Sequence, residues 1–176
     1  DWIDYTQDLI DKYISTDNAI VLVPGGTDRN STIFNIVDAI ETEFGEDEEH
    51  IIVTHDSVRP FVTLRIIEEN IEAASKFGAC DTVVEAVDTI VVSEDRNTIL
   101  NIPDRRMMFQ GQTPQSFKMS MIKNLYNDLT EKEKEILTDA CKICCVRNVP
   151  VRLVRGEVSN MKITTIDDMK MAKAMI

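Results

Sequence analysis

Apolar residues recur along this chain in two rhythms, one of period near 3.6 and one of short continuous runs, and the two alternate. In "DWIDYTQDLIDKYI", Trp2, Tyr5, Leu9 and Tyr13 fall at helical spacing, which predicts an amphipathic helix. "AIVLV" (19–23) is short, apolar and bounded by turn residues, as expected of a strand buried on both faces. "PGGTDRNST" then reads as a loop, and "IFNIVDAIETEF" as a helix with Ile33, Ile36, Val37 and Ile40 on one side. The sequence repeats this with "HIIVT" as strand, "HDSVRPFVT" as loop and "LRIIEENIEAASKF" as a helix stopped by Gly78; "CDTVVEAV" is a third strand. Strand, loop and helix in alternation predict an α/β sandwich with a mainly parallel sheet, because parallel neighbours need helical crossovers.

The alternation breaks at Asp88. Two β-rich pieces, 89–92 and 98–102, flank the turn-prone "SEDRN" with no helix between them, which predicts a projecting hairpin arm over about 88–113. Exposed apolar arms are usually covered, so a homodimer is expected. Further on, "MSMIKNLYNDL" and "TEKEKEILTDACKICCV" read as helices, "VPVRLVRG" as a strand and "MKIT" as a short β piece. Thr165 is placed to cap the last helix, "IDDMKMAKAMI". The acidic run "EFGEDEEH" reads as a solvated loop.

Composition narrows the function. With 176 residues and 43% apolar content the chain fits one domain, 1–176. Its 19 basic against 31 acidic residues give a net charge of −12, which repels phosphate backbones and anionic lipid, so neither nucleic acid nor membrane is an expected partner. A cytoplasmic location is expected from the lack of a spanning run or leader pattern. Cys80, Cys141, Cys144 and Cys145 are too few and clustered for a disulfide framework, and the C-x-x-C lacks a second pair at zinc spacing, so they are expected to be structural.

In open α/β sheets ligands bind beyond the carboxyl ends of the strands, and three polar segments stand out. In "PGGTDRNST", Gly25 and Gly26 permit close backbone approach, Arg29 offers a fork of donors and Thr32 a hydroxyl at a helix start; the glycine pair is equally compatible with a plain turn. It is neither G-x-G-x-x-G nor a P-loop. In "HDSVRPF", Asp56 and Arg59 either bind a metal ion and an anion side by side or pair with each other. "RRMMFQGQTPQSF" gathers Arg105, Arg106, Gln110, Gln112, Thr113 and Gln115 near the arm, and Lys162 in "VSNMKITT" is either an exposed edge residue or a functional cation.

Taken together, "GGTDRNST", "HDSVRPF", "DTIV", "QTPQSF", "TDA" and "NMKITT", in this order and spacing, closely resemble the CTP-dependent sugar-phosphate cytidylyltransferases, a family that includes methylerythritol-phosphate and ribitol-5-phosphate cytidylyltransferases. The resemblance covers nearly the whole chain. "HDSVRPF", "FQGQTPQSF" and "LTDACKIC" look more like the ribitol-phosphate branch, which makes ribitol 5-phosphate the expected acceptor and 2-C-methyl-D-erythritol 4-phosphate the alternative. A further alternative is a module that dimerises or holds nucleotide without catalysis. The fold implied is a three-layer Rossmann-like nucleotidyltransferase with a hairpin arm.

The resemblance also implies roles. Gly25, Gly26, Arg29 and Thr32 match the loop that holds cytosine. Asp56 matches a carboxylate near Mg²⁺ and nucleotide, with Asn160 also near the metal, and Arg59 a residue oriented to the substrate phosphate. Thr89 matches a substrate contact at the arm's root; Arg105 and Thr113 match arm residues that reach a neighbouring subunit's site. Lys162 matches the lysine that steadies the reacting phosphates, and Thr138 and Asp139 lie near the polyol pocket. The family also has a strand and a glycine-rich loop with an arginine and a Pro-Lys pair ahead of this region. Nothing like them precedes Asp1, so an N-terminally truncated chain with impaired CTP binding is expected.

Overall fold

The structure, a computed structural model, describes residues 2–176; Asp1, the start of the first expected helix, lies outside them. Four strands form one sheet in the order β1 (Ile51–Thr54), β3 (Phe109–Lys118), β2 (Ala79–Glu85), β4 (Arg152–Arg155). β3 is antiparallel to both β1 and β2, whereas β2 and β4 are parallel. Three strands therefore point one way and β3 alone is reversed. The α/β class holds, but the mainly parallel pairing expected gives way to a mixed sheet, because β3 is inserted between two co-directional strands.

Helices cover both faces. α3 (Leu64–Phe77) lies on one, where Ala73 and Ala74 pack with Cys80 and Val154. α2 (Arg29–Phe44), α4 (Met119–Asn127) and α6 (Ala140–Val146) lie on the other, around Phe34, Val37, Ile52, Phe117, Ile122 and Ile143. Adjacent Ile51 and Ile52 feed opposite clusters, as strand periodicity requires. Between α3 and the sheet lies a buried polar knot: Asn70 Nδ2 donates to Thr82 Oγ1 at 2.8 Å and to Ile66 O at 2.8 Å, while Thr82 Oγ1 donates to Pro114 O at 2.6 Å.

Local sequence explains several ends. α3 stops where Gly78 takes φ 86°, a backbone conformation open to glycine. α7 (Ile166–Ala174) begins at Thr165 with a capping box to Asp168, as expected. "TEKEKEILTDACKICCV" was expected as one helix and forms two, α5 (Glu131–Glu135) and α6, because Asp139 turns its side chain to accept from Lys142 N and starts a new helix.

Four segments turn out differently from expectation. The first is "AIVLV": residues 19–23 form no ladder, and Ile20 and Val21 are exposed, since an apolar run becomes a strand only beside a hydrogen-bonding neighbour. The helix before it, α1 (Ile3–Tyr13), forms but has no buried residue. The second is the hairpin arm, which has its turn, with Asn97 and Thr98 amides donating to Asp95, but only one isolated antiparallel bridge, Val92 to Asn101. The third is "FQGQTPQSF", taken as a polar segment continuing the arm: it is β3, one of the two central strands, so residues 109–113 belong to the sheet. "MKIT" likewise is no strand; it is tied down by Ile163 N donating to Val58 O at 2.8 Å.

Candidate functional site

The site grows from an irregularity in β3. Asp81 pairs with Gln115 and Val83 with Gly111, so three residues, Gln112, Thr113 and Pro114, stand opposite Thr82 alone. Pro114 has no amide hydrogen to give a ladder, and a bulge is where a central strand tolerates it. The bulge frees the groups around it for other partners. Gln112 Nε2 donates to Glu157 O at 2.9 Å, and Asn160 Nδ2 donates to Thr113 O at 2.8 Å. Asp56 N donates to Thr113 Oγ1 at 3.0 Å. Loop 55–59 after β1 and the segment carrying Asn160 and Lys162 are thereby drawn to one place.

Three cations meet one carboxylate there. Arg29 Nη1, from the first turn of α2, lies 2.6 Å from Asp56 Oδ1. Lys162 Nζ lies 3.1 Å and Arg59 Nε 3.4 Å from Asp56 Oδ2. Arg59 is further held by Nη1 donating to Asn160 O at 2.8 Å. Burial pushes the Asp56 carboxyl up, but hydrogen bonds from Lys162 and Arg29 and the charges of both outweigh it, so it titrates below its ordinary value. With three positive groups and one negative, the cluster keeps about two positive charges unpaired in a chain whose net charge is −12. Such a point attracts a polyanion.

The self-contained Asp56–Arg59 ion pair is thus not what forms. The glycine loop is placed beside the cluster: Asp28 caps α2 through Asn30 N and Ser31 N, and this cap aims Arg29. A Cβ at Gly26 would stand 2.2 Å from Ser31 Oγ, so only glycine fits the turn. Thr32 Oγ1 accepts from Gly26 N at 2.9 Å and donates to Asp28 O at 2.9 Å. A groove of about 650 Å³ lined by Arg29, Thr32, Ile33, His55 and Asp56 runs on from there along β1. A larger one, about 960 Å³, lies beside β4 and includes none of these residues.

Other expected site residues are spread differently. Thr113 is buried in β3 rather than on the arm, because the strand starts at Phe109; its hydroxyl meets His55 and the Asp56 amide of its own chain. Asn160 is fully buried and reaches the site through its carbonyl. Arg105 is exposed and donates to Val87 O at 2.8 Å, and Thr89 is exposed at the arm's root; among the described residues no hydrogen bond or ion pair links either to Asp56. Asp139 caps α6 and exposed Thr138 precedes it. Sequence reasoning gave no role to His55, whose signal was its place just before Asp56 at a strand's carboxyl end, nor to Asp81. Asp81 lies on β2, accepts from Gln115 Nε2 at 3.0 Å, and is pushed up to about 6 by burial.

Among the described residues no group of three or more His, Cys, Asp or Glu side chains gathers as a metal cage. One carboxylate flanked by cations suits a magnesium ion that arrives with phosphates and takes most of its ligands from them and from water. No helix among the described residues is long and apolar enough to cross a membrane.

A mixed α/β sheet with a cluster of cations beyond the carboxyl end of β1 is shared with enzymes of the nucleotidyltransferase class. The family model for 2-C-methyl-D-erythritol 4-phosphate cytidylyltransferase matches residues 3–176, and the chain belongs to that family. Among solved structures, 4-diphosphocytidyl-2C-methyl-D-erythritol synthase from Anaerococcus prevotii is similar at 28% identity and TM-score 0.81, over 99% of this chain and 74% of that one. The 2-C-methyl-D-erythritol 4-phosphate cytidylyltransferases of Thermus thermophilus (24% identity, TM-score 0.74, 93% and 77% covered) and Francisella tularensis (23%, 0.80, 93% and 75%) share the fold. These matches favour the methylerythritol-phosphate alternative over the ribitol-phosphate acceptor expected from the motif variants.

Proposed function

We propose that the chain carries out cytidylyl transfer from CTP to a polyol phosphate, with 2-C-methyl-D-erythritol 4-phosphate as the acceptor that the family match favours. The observation that carries this reading is the convergence of Arg29, Arg59 and Lys162 on Asp56. An oxygen of the acceptor phosphate forms a bond to the α-phosphorus of CTP. The bond from that phosphorus to the bridging oxygen breaks, and pyrophosphate leaves with the electron pair. Negative charge spreads over phosphate oxygens throughout, so fixed cations can do most of the catalytic work without a nucleophile or a base.

Lys162 and Arg59 would bind and steady the reacting phosphates. Arg29, with Gly25, Gly26 and Thr32, would hold the nucleotide. Asp56 is the carboxylate that would hold Mg²⁺, with Asn160 supporting it from behind through Arg59. When bound, the metal would neutralise charge on the phosphates. Thr138 and Asp139 are assigned to the polyol, and Thr89 and Arg105, both exposed, to contacts across a dimer whose interface includes the apolar arm residues Val91, Ile99 and Leu100. Sedimentation at micromolar concentration should give the dimer mass; a monomer throughout refutes the interface.

Ribitol 5-phosphate is the second reading, favoured by "HDSVRPF", "FQGQTPQSF" and "LTDACKIC". CTP-dependent pyrophosphate release with each acceptor decides between them. Release with methylerythritol phosphate alone is expected, release with ribitol 5-phosphate alone reverses the assignment, and none with any polyol phosphate defeats both.

A further inference from the structure

Loop 55–59 carries one side chain that the proposed chemistry leaves unused. His55 has both ring nitrogens engaged: Nε2 lies 3.0 Å from the carbonyl oxygen of Arg59, and Nδ1 lies 3.0 Å from Thr113 Oγ1. A carbonyl oxygen only accepts, so Nε2 carries the proton, and in the neutral ring Nδ1 is then an acceptor. Thr113 accordingly donates its hydroxyl proton to Nδ1. The same oxygen accepts the amide proton of Asp56 at 3.0 Å. Three bonds in series join the Asp56 amide, the Thr113 hydroxyl, the imidazole and the Arg59 carbonyl. The loop is fastened at both functional residues to β3, a strand held by a ladder on each side.

We infer that His55 is a positioning residue for the transfer: acting through Thr113, it fixes the backbone at Asp56 and Arg59 so that the carboxylate and the guanidinium meet the nucleotide in one register. The inference rests on the cytidylyl-transfer reading of the same site. Two features separate this role from ordinary packing. His55 is exposed, so its loss opens no cavity in the core. Thr113, by contrast, is buried, and its hydroxyl finds both of its partners in loop 55–59. The arrangement also limits Thr113. With its proton given to His55 and one lone pair given to Asp56 N, the Thr113 hydroxyl is committed to the loop.

The test uses the whole chain and has two arms. The first needs no turnover. The chain has two histidines, so ¹⁵N-detected NMR compared with His50→Gln assigns the His55 ring, and the Nε2–H tautomer is expected, with that preference lost in Thr113→Val. An Nδ1–H tautomer overturns the relay. The second arm is pyrophosphate release. A misplacement of about 1 Å can cost 10²-fold, so His55→Ala is expected to lower kcat by about 10- to 100-fold, with KM for CTP changed less than about threefold. Thr113→Ser, which keeps the hydroxyl, should retain more turnover than Thr113→Val. His55→Ala with Thr113→Val should be no worse than either alone, as members of one chain are not additive. Full kcat in His55→Ala, or losses that simply multiply, defeat the inference. If the native chain turns over no polyol phosphate, the functional reading fails, and the tautomer still decides the relay.

Discussion

Lys162 Nζ stands 3.1 Å from Asp56 Oδ2 although the two residues come from far-separated parts of the chain. The Lys162 side chain is 43% exposed, more than its partner needs for a buried ion pair and enough to swing onto a ligand. Lys162→Ala should therefore reduce pyrophosphate release by about 10²- to 10³-fold, the range for losing one charge-stabilising donor. Its melting temperature should stay within about 4 °C of native, since exposed ion pairs contribute at most about 1 kcal/mol. Turnover close to native would remove Lys162 from the chemistry.

Asp56→Asn tests the other side of the cluster. It removes the negative charge and leaves Arg29, Arg59 and Lys162 facing one another. Inorganic pyrophosphate without metal should bind more tightly by calorimetry, and metal-dependent turnover should fall by at least about 10²-fold. Weaker anion binding would mean that Asp56 organises the cations rather than opposing the ligand.

Asp81 gives a pH signature. Its folded pKa is raised to about 6 by burial, so the folded state holds the proton more tightly than the unfolded chain does. Stability from this group is full below pH 4 and is lost as the pH rises to about 6. Asp81→Asn should stabilise the protein by about 2 kcal/mol at pH 8 and hardly at all at pH 3.5. Thermal unfolding at the two pH values reads the difference; an equal effect at both excludes titration as its cause.

Asn70 is the centre of the knot under α3. Asn70→Ala leaves buried Thr82 Oγ1 without its donor and buried Ser116 Oγ without its acceptor, and a loss of about 2–3 kcal/mol is expected, read as a melting temperature lower by about 5–10 °C. A change within 1 °C would show that the network contributes little.

The sequence was most readable where apolar periodicity and a stop signal agreed. α3 runs from Leu64 to Phe77 and ends at Gly78, as its pattern required, and Thr165 caps α7. Reading failed where partners, not composition, decide the outcome. "FQGQTPQSF" is rich in glutamine, glycine and proline and has no strand rhythm, yet it is a central strand because buried Gln112, Thr113 and Ser116 find hydrogen-bond partners and Gln115 Nε2 donates to Asp81. "AIVLV" has the composition of a strand and none of its neighbours. At the site, Arg29, Asp56 and Arg59 were named from their loops and Lys162 from an expected β piece, and the four do converge. The tie between Thr113 and His55 was invisible, since it depends on a bulge that no spacing in one sequence specifies.

The reversal of β3 has a mechanical side. Since this strand alone runs against the others, chain leaving the arm at Arg105–Met107 enters the sheet at Phe109 and arrives at Thr113 without a further turn. Arm and cationic cluster therefore share one strand: Phe109 to Gly111 pair with β2 in regular register, and the bulge that follows holds Thr113 against His55 with no loop in between.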